Sequence, residues 1–204
     1  MIKVLNNGFV ELVESMGHDE AVIRNARRCW RSESKGEDAD RKLLRHLIRE
    51  RHKTPFEAMV FTFDVKAPLF VARQWFRHRI GSYNEESLRY CAALRDYYIP
   101  EGLEGEALEA WKAHNEHAYD VYDELVGKYK LPKEQARSVL PVGLYTNFYW
   151  TVNGSSLMNF LNLRLDSHAQ YEIRVYAKAV LDLVKDVAPI CFGEFEREVL
   201  NAGD

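Results

Sequence analysis

The stretch MVFTFDVKAPLFVARQWFRHRIGSYNEESLR, residues 59–89, carries the signals that decide the fold of this chain. Apolar residues occupy every second position over Met59–Val65, which is the pattern of a strand with one buried face. Pro68 then opens a helix whose apolar residues continue to Phe76. The stretch therefore predicts a strand, a helix and, at the end of the helix, the basic triplet Arg77-His78-Arg79.

Upstream of this stretch, the sequence predicts a hairpin and two helices. Asn6-Asn7-Gly8 separates two apolar runs, and an Asn-Gly step between such runs is a strong hairpin signal. Apolar residues at helical spacing follow both Asp19 and Asp40, which predicts an amphipathic helix after each. The segment Thr54–Glu57 has the form of a capping box, with a hydroxyl at the cap and a carboxylate three residues later.

Downstream, the pattern predicts four helices and a further strand. The helices are a long one over Leu103–Tyr129, a short one over Pro132–Leu140, one from Ser156 to about Leu165, and one from about Ala169 to Ala188. Apolar and polar residues alternate over Leu144–Val152, as in a strand. This order of elements predicts a single α+β domain over residues 1–204, with a small mixed sheet packed by helices.

Composition narrows the class of protein. The chain has 204 residues, 47% hydrophobic and 29% charged, which is enough apolar material for a sizeable core. A formal charge of -3 argues against a dedicated nucleic-acid binder, since such proteins carry a basic surplus. No apolar run approaches the length of a membrane span, and the first residues lack the order of a signal peptide. We therefore expect a soluble, cytoplasmic protein without nucleic-acid or membrane partners.

The cysteines and histidines predict no metal site and no disulfide. Cys29, Cys91 and Cys191 are odd in number and far apart, so we expect three buried thiols that pack as small hydrophobes. His114 and His117 are three residues apart on the long helix, but no carboxylate or cysteine set accompanies them. A solvated helix surface is the better interpretation of that pair.

Glycine placement excludes the common nucleotide-binding motifs. The chain has neither the Gly-x-Gly-x-x-Gly fingerprint of a Rossmann unit nor a phosphate-binding loop, so side chains would have to hold any phosphate. Arg73 and Arg77 are four residues apart, hence on one helical face, and guanidinium groups can grip phosphate oxygens in bidentate fashion. A cationic face that complements the helix dipole is the alternative. The amides, carboxylates and hydroxyls crowded into Ser82–Arg89 favour a polar pocket.

Three separated blocks of this sequence resemble the flavin-dependent thymidylate synthases. The triplet Arg77-His78-Arg79, seven further residues and Ser87 reproduce the signature RHR-x7-S of that family. The residues that flank this signature, Phe70–Phe76 and Asn84-Glu85, are also similar to the family. The other similar blocks are Thr54–Glu57 and the segment formed by Ser156–Arg164 and Asp166–Gln170. In all, the resemblance runs from about Gly8 to about Glu172.

The resemblance implies an activity, a set of cofactors and an assembly. It implies reductive methylation of dUMP to dTMP with methylenetetrahydrofolate as carbon donor, FAD as hydride carrier and NADPH as reductant. It also implies a homotetramer with active sites at subunit contacts, and an α/β fold particular to the family. Such a fold would account for the missing Rossmann motif.

The resemblance also assigns site residues. The FAD site would comprise Thr54, Arg77, His78, Arg79, Glu85, Asn153, Ser155 and Asn159. The nucleotide site would comprise Gln74, Arg77, Glu85, Glu86, Ser87, Arg89, Arg137 and Arg164. Arg164 and Ser87 are the candidate catalytic residues. We expect Arg164 to stabilise charge on the pyrimidine, and we expect no enzyme nucleophile, because no histidine near Ser87 in sequence would activate it.

Several of these residues have plain structural interpretations. Thr54 could cap a helix, Asn153 could serve a turn, and Arg137 and Arg164 could form surface ion pairs. Two positions depart from the family: Cys29 replaces a common serine, and Ser155 replaces an arginine that would face the cofactor phosphates. These departures bear on flavin affinity rather than on chemistry.

Two other functions compete with a synthase. Arginines interleaved with aromatic residues could bind single-stranded nucleic acid, which the acidic balance of the chain disfavours. A protein that keeps the family fold and has lost synthase activity is the other alternative.

Overall fold

The computed structural model describes residues 1–200 and contains a five-stranded sheet with the strand order β1-β2-β3-β5-β4. The strands are β1 Ile2–Val4, β2 Gly8–Met16, β3 Val60–Pro68, β4 Ser82–Glu85 and β5 Tyr145–Asn153. Every neighbouring pair in this sheet is antiparallel. The α+β prediction is confirmed, whereas the prediction of a mixed sheet is wrong.

The antiparallel arrangement follows from where the connections run. The last residue of β2, Met16, pairs with the first residue of β3, Val60. The long segment between them therefore leaves and re-enters the sheet at the same end. A parallel pair would need a connection that crosses back over a face of the sheet.

Eight α-helices and three shorter turns complete the described chain. The α-helices are α1 Asp19–Arg28, α2 Glu37–Arg49, α3 Leu69–Trp75, α4 Gly105–Gly127, α5 Lys133–Ala136, α6 Gly154–Arg164, α7 Tyr171–Val187 and α8 Pro189–Phe195. The 3-10 helices are Thr54–Ala58 and Arg137–Val139, and Glu196–Leu200 forms a π-helical turn. No helix within residues 1–200 is long and apolar enough to cross a membrane.

The core lies on one face of the sheet. Phe61, Phe63 and Trp150 point into it and are fully buried. Helices α3 and α6 cover them with Trp75 and Phe160, whose rings stack with centroids 4.8 Å apart. This packing fixes the end of α3 against α6, and so it sets where the basic triplet emerges.

The N-terminal hairpin is confirmed, and it closes against a distant helix. Gly8 pairs with Val4, and a Cβ placed on Gly8 would lie 1.9 Å from the hydroxyl of Tyr176. That hydroxyl donates a 2.6 Å hydrogen bond to the carbonyl of Lys66 on β3. Glycine is required here because α7, which carries Tyr176, packs directly onto the start of β2.

The expectations for Thr54 and the cysteines are corrected. Thr54 is the first residue of a 3-10 helix without a side-chain cap, because the backbone bond from Phe56 to Lys53 already closes the turn. Only Cys191 is buried. Cys29 ends α1 beside an irregular loop and Cys91 follows β4 in an irregular segment, which leaves both thiols exposed.

The start of one helix and the presence of one strand also differ from the sequence prediction. The second helix begins at Glu37 rather than after Asp40. The polar segment Ser82–Glu85 is an edge strand, paired with β5 from Thr151 to Phe148. Alternation of apolar and polar residues fails as a signal at an edge that is largely exposed.

Candidate active site

The basic triplet follows α3 in a turn that is pinned from two sides. The backbone N–H of His78 donates to the carbonyl of Trp75 at 3.0 Å. The hydroxyl of Tyr83, on β4, donates to the carbonyl of His78 at 2.8 Å. These bonds hold His78 half-buried, while Arg77 and Arg79 on either side remain exposed.

His78 and Arg164 form the central contact of the site. Nε of Arg164 donates to Nε2 of His78 at 2.9 Å, and Nη2 donates to the carbonyl of Gln74 at 2.9 Å. Burial, and then the positive charge of Arg164, lower the pKa of His78 to about 4. At neutral pH the imidazole is therefore uncharged and accepts the hydrogen bond through Nε2. The ring of Phe160 packs against it edge to face.

Arg164 carries a positive charge that no carboxylate neutralises within residues 1–200. Burial lowers the pKa of this guanidinium, although arginine stays protonated at any working pH. Two of its five N–H donors are used by His78 and Gln74. The remaining donors can bind an anionic or carbonyl oxygen, and the surface ion pair considered for Arg164 does not form in this part of the chain.

A second group of predicted residues lies around Glu134 on α5. Nε of Arg89 donates to the carboxylate of Glu134 at 3.0 Å, and Nε of Arg137 donates to its backbone carbonyl at 3.3 Å. The hydroxyl of Ser87 accepts from the backbone N–H of Arg89 at 3.3 Å. The hydroxyl thus shapes the turn that carries Arg89, and Arg137 is exposed without an ion pair among the described residues.

The remaining predicted nucleotide residues are held separately. Glu85 accepts a 2.8 Å hydrogen bond from the hydroxyl of Thr146 on β5. The side-chain amide of Gln74 donates to that of Gln170. Glu86 is exposed, and its backbone N–H donates to the carbonyl of Asn147 at 2.9 Å.

The other predicted cofactor residues line or border a cleft that runs along one side of α6, from Ser155 to Asn162. Asn153 caps this helix, and its Oδ1 accepts from the backbone N–H of Ser156 at 2.8 Å. Ser155 and Asn159 line the cleft itself. Thr54 stands next to the cleft residue Lys53, at the start of the 3-10 helix Thr54–Ala58.

The single chain does not gather all predicted residues into one pocket. Ser155 and Arg164 stand near opposite ends of α6, roughly 13 Å apart along the axis at 1.5 Å per residue. The structure brings together Gln74, His78 and Arg164, and separately Ser87, Arg89 and Arg137. The cleft with Ser155 and Asn159 is the third group.

Sequence reasoning missed the residues that hold these groups in place. Tyr83 pins the triplet, Thr146 binds Glu85, and Glu134 holds two arginines. It also missed the cations at the cleft, although the basic segment Arg51–Lys53 stands directly before Thr54 in the sequence. Within residues 1–200 no group of three or more His, Cys, Asp or Glu side chains could hold a metal ion.

The chain is similar to known proteins over most of its length. Residues 11–190 match the family model described as "Thymidylate synthase complementing protein". The chain is 48% identical over 202 residues to a flavin-dependent thymidylate synthase of Thermotoga neapolitana, covering 95% of this chain and 93% of that protein. It is 46% identical to the enzyme of the same name from Thermosipho africanus, covering 95% and 92%.

The chain belongs to the flavin-dependent thymidylate synthase family. It is therefore an enzyme, and the resemblance found in the sequence is confirmed. A crystal structure of the UMP/dUMP methylase PolB from Streptomyces cacaoi, bound with 5-Br dUMP, superposes with a TM-score of 0.89. That protein is 32% identical, with 97% of this chain and 98% of the other covered. The fold found here is thus shared with that methylase.

Proposed function

We propose that this flavin-dependent thymidylate synthase family member methylates dUMP to dTMP, with methylenetetrahydrofolate as carbon donor, FAD as cofactor and NADPH as reductant. The observation that carries the proposal is Arg164, a half-buried guanidinium held by His78 and Gln74 with donors left over and no carboxylate beside it in residues 1–200. Such a group is suited to an anionic or electron-rich ligand. The choice of dUMP as the substrate rests on the names of the similar proteins, a thymidylate synthase and a UMP/dUMP methylase.

The role of Arg164 is electrostatic. As methylation proceeds, negative charge develops on the carbonyl and ring nitrogen of the pyrimidine. A guanidinium that is already oriented by two hydrogen bonds stabilises this charge without reorganising. Arg89 and Arg137, held together by Glu134, would bind the nucleotide phosphate.

The residues present fit a flavin. Arg77 and Arg79 are exposed and form no ion pair within residues 1–200, so their guanidinium groups are free to bind an electron-rich part of the cofactor. The amides of Asn153 and Asn159 can bind the polar edges of a ring, and the neutral His78 offers an uncharged face. When bound, the flavin would supply the hydride that the reaction needs.

The hydroxyl of Ser87 has a binding role in this proposal. It already accepts a backbone hydrogen bond in the turn before Arg89. No base is within hydrogen-bonding distance of it in residues 1–200, so it lacks the activation that a nucleophilic serine requires.

We also propose a homotetramer with sites shared between subunits. The three groups of site residues do not converge in one chain. Large apolar side chains near them are exposed, with Tyr90 and Leu94 each at 76% and Ile80 at 73%. Surfaces of this kind are typical of an interaction site. Sedimentation at assay concentration tests this, and a monomer with full activity would contradict it.

Turnover of dUMP is the direct test of the function. The purified protein, loaded with FAD, is incubated with dUMP, methylenetetrahydrofolate and NADPH, and dTMP is measured by chromatography. Omitting each reactant in turn provides the controls. We expect product only in the complete mixture. Bound flavin without any dTMP would favour a protein that keeps the family fold but has lost the synthase activity.

The variant His78→Ala tests whether the basic triplet binds the cofactor. We expect His78→Ala to purify with little flavin, because the imidazole connects Arg164 to the turn that carries Arg77 and Arg79. Absorbance at flavin wavelengths measures the occupancy. A full complement of flavin in this variant would show that the triplet does not hold the cofactor.

A further inference from the structure

The cleft beside α6 has two chemically different walls. Half of the residues that line it are apolar: Leu47, Ile48, Phe56, Met158, Phe195 and Val199. The polar side chains that α6 contributes are all neutral, from Ser155, Asn159 and Asn162. Its positively charged side chains are those of Arg51 and Lys53, which follow α2. Such a cleft suits a ligand with a ring at one end and an anionic group at the other.

The position of Arg51 and Lys53 at the cleft follows from how helix α2 ends. Arg51 has a left-handed backbone, with φ of 56°, and the backbone N–H of His52 bonds back to the carbonyl of Leu47 at 2.8 Å. This is a Schellman-type ending, in which glycine is the usual left-handed residue. The chain carries an arginine at this position instead, and both Arg51 and Lys53 are exposed without an ion pair in residues 1–200.

We propose that Arg51 and Lys53 bind the diphosphate of the flavin cofactor and supply the positive charge that Ser155 cannot. This rests on the proposed function. The cleft belongs to the cofactor rather than to the nucleotide, because Ser155 and Asn159 of the expected FAD set line it. None of Ser87, Arg89, Arg137 and Arg164 does so.

The experiment compares flavins that share one ring system and differ in phosphate. Binding of FAD, FMN and riboflavin is measured by the change in flavin fluorescence for the wild type and for Lys53→Gln. Loss of one charge-assisted contact should weaken FAD binding about 10-fold. FMN should lose less, and riboflavin affinity should stay the same. An equal loss for all three flavins would overturn the proposal.

Arg51→Gly separates a ligand contact from a structural role. Glycine relieves the left-handed backbone, so the free energy of unfolding should stay equal or rise, while FAD affinity falls about 10-fold. Lys130 provides a matched control, since it is also an exposed cation with a left-handed backbone, φ 56°, and does not line the cleft. Lys130→Gly and Lys130→Gln should bind all three flavins as the wild type does. Weaker FAD binding in either control would count against the assignment.

Charge rescue completes the test. Ser155→Arg introduces a cation on the opposite wall of the same cleft, and in the Lys53→Gln background it should restore FAD binding toward the wild-type value. A change in the KM for methylenetetrahydrofolate with unaltered flavin affinity would assign the cations to the carbon donor and overturn the proposal. A wild-type protein that binds no flavin would instead refute the proposed function itself.

Discussion

Two sets of cationic side chains at α2 differ in whether they form ion pairs. The paired set stabilises the fold, and the unpaired set is available to bind a ligand. Arg41, Arg45 and Arg49 lie on one face of the helix and are paired with Glu194 and Glu198 of the C-terminal segment. Directly after the helix, Arg51 and Lys53 have no such partners among residues 1–200 and line a cleft.

The paired set is built around one buried carboxylate. The side chain of Glu194 is only 4% exposed, and Nε of Arg45 donates to it at 2.9 Å. Arg41 and Arg197 also contact it, and together these arginines lower the pKa of Glu194. These charges satisfy each other inside the chain. Arg51, Lys53 and Arg164 have no carboxylate partner within residues 1–200, so their charges remain available to a ligand.

The largest effect is expected at Arg164. Replacement by alanine removes a preoriented donor, which typically costs about 100–1,000-fold in turnover, or roughly 3–4 kcal/mol. Arg164→Lys should recover only part of this, because an ammonium cannot reproduce the planar fork that binds His78 and Gln74. The measurement is dTMP formation after flavin occupancy has been verified. Near-wild-type rates in both variants would return Arg164 to an ordinary surface role.

Replacement of Glu194 should lower the stability of the fold rather than the rate of turnover. In Glu194→Gln the hydrogen bonds to charged guanidinium groups lose their carboxylate, and we expect a loss of about 1.5–3 kcal/mol in the free energy of unfolding. Arg49→Gln is the control, since its pair with Glu198 is 64% exposed on the arginine side and should contribute about 1 kcal/mol or less. Urea unfolding measures both. Equal stability of the two variants would show that the buried carboxylate of Glu194 contributes no more than the exposed ion pair of Arg49.

The His78–Arg164 contact should make stability depend on pH in a defined window. The folded state keeps His78 neutral down to its pKa of about 4, whereas the unfolded chain takes up the proton near 6.5. The unfolded state therefore binds more protons between these values, and the stability contributed by a neutral His78 is lost as the pH falls from 6.5 to about 4.

The window is measured by urea unfolding at several pH values. Above pH 6.5, the free energies of unfolding of the wild type and of His78→Gln should change with pH in parallel. Between pH 6.5 and about 4, the wild type should lose more stability than the variant. An identical pH dependence in both proteins would show that His78 is not held neutral by its surroundings.

The smallest effect is expected for Ser87→Ala. Loss of one neutral hydrogen bond corresponds to roughly 1 kcal/mol, so turnover should fall by no more than about 10-fold. The steady-state rate with saturating dUMP measures this. Complete loss of turnover with normal flavin and dUMP binding would restore Ser87 as a nucleophile.

The fold was largely predictable where periodicity is strong. The alternation over Met59–Val65 located β3, and the spacing after Asp19 located α1. Edge strand β4 was not predictable, since its residues are polar and exposed. The antiparallel sheet was missed because strand direction depends on where the connecting helices run, which no local pattern specifies.

The candidate site was predictable as a set of residue types but not as an arrangement. The motif pointed to Arg77, His78 and Ser87 without showing which side chains hold them. Tyr83 and Glu134 act through single hydrogen bonds across elements that are distant in sequence. Contacts of this kind follow from tertiary packing and leave no periodic signal.

The close contact between Gly8 and Tyr176 bears on the order in which the protein can fold during synthesis. The hairpin of β1 and β2 leaves the ribosome before β3 and α7, and a two-stranded hairpin alone is marginally stable in water. Its partner strand β3 is made later, and α7, which carries Tyr176, is made later still. The hairpin must therefore wait until α7 has been made before its packing is complete.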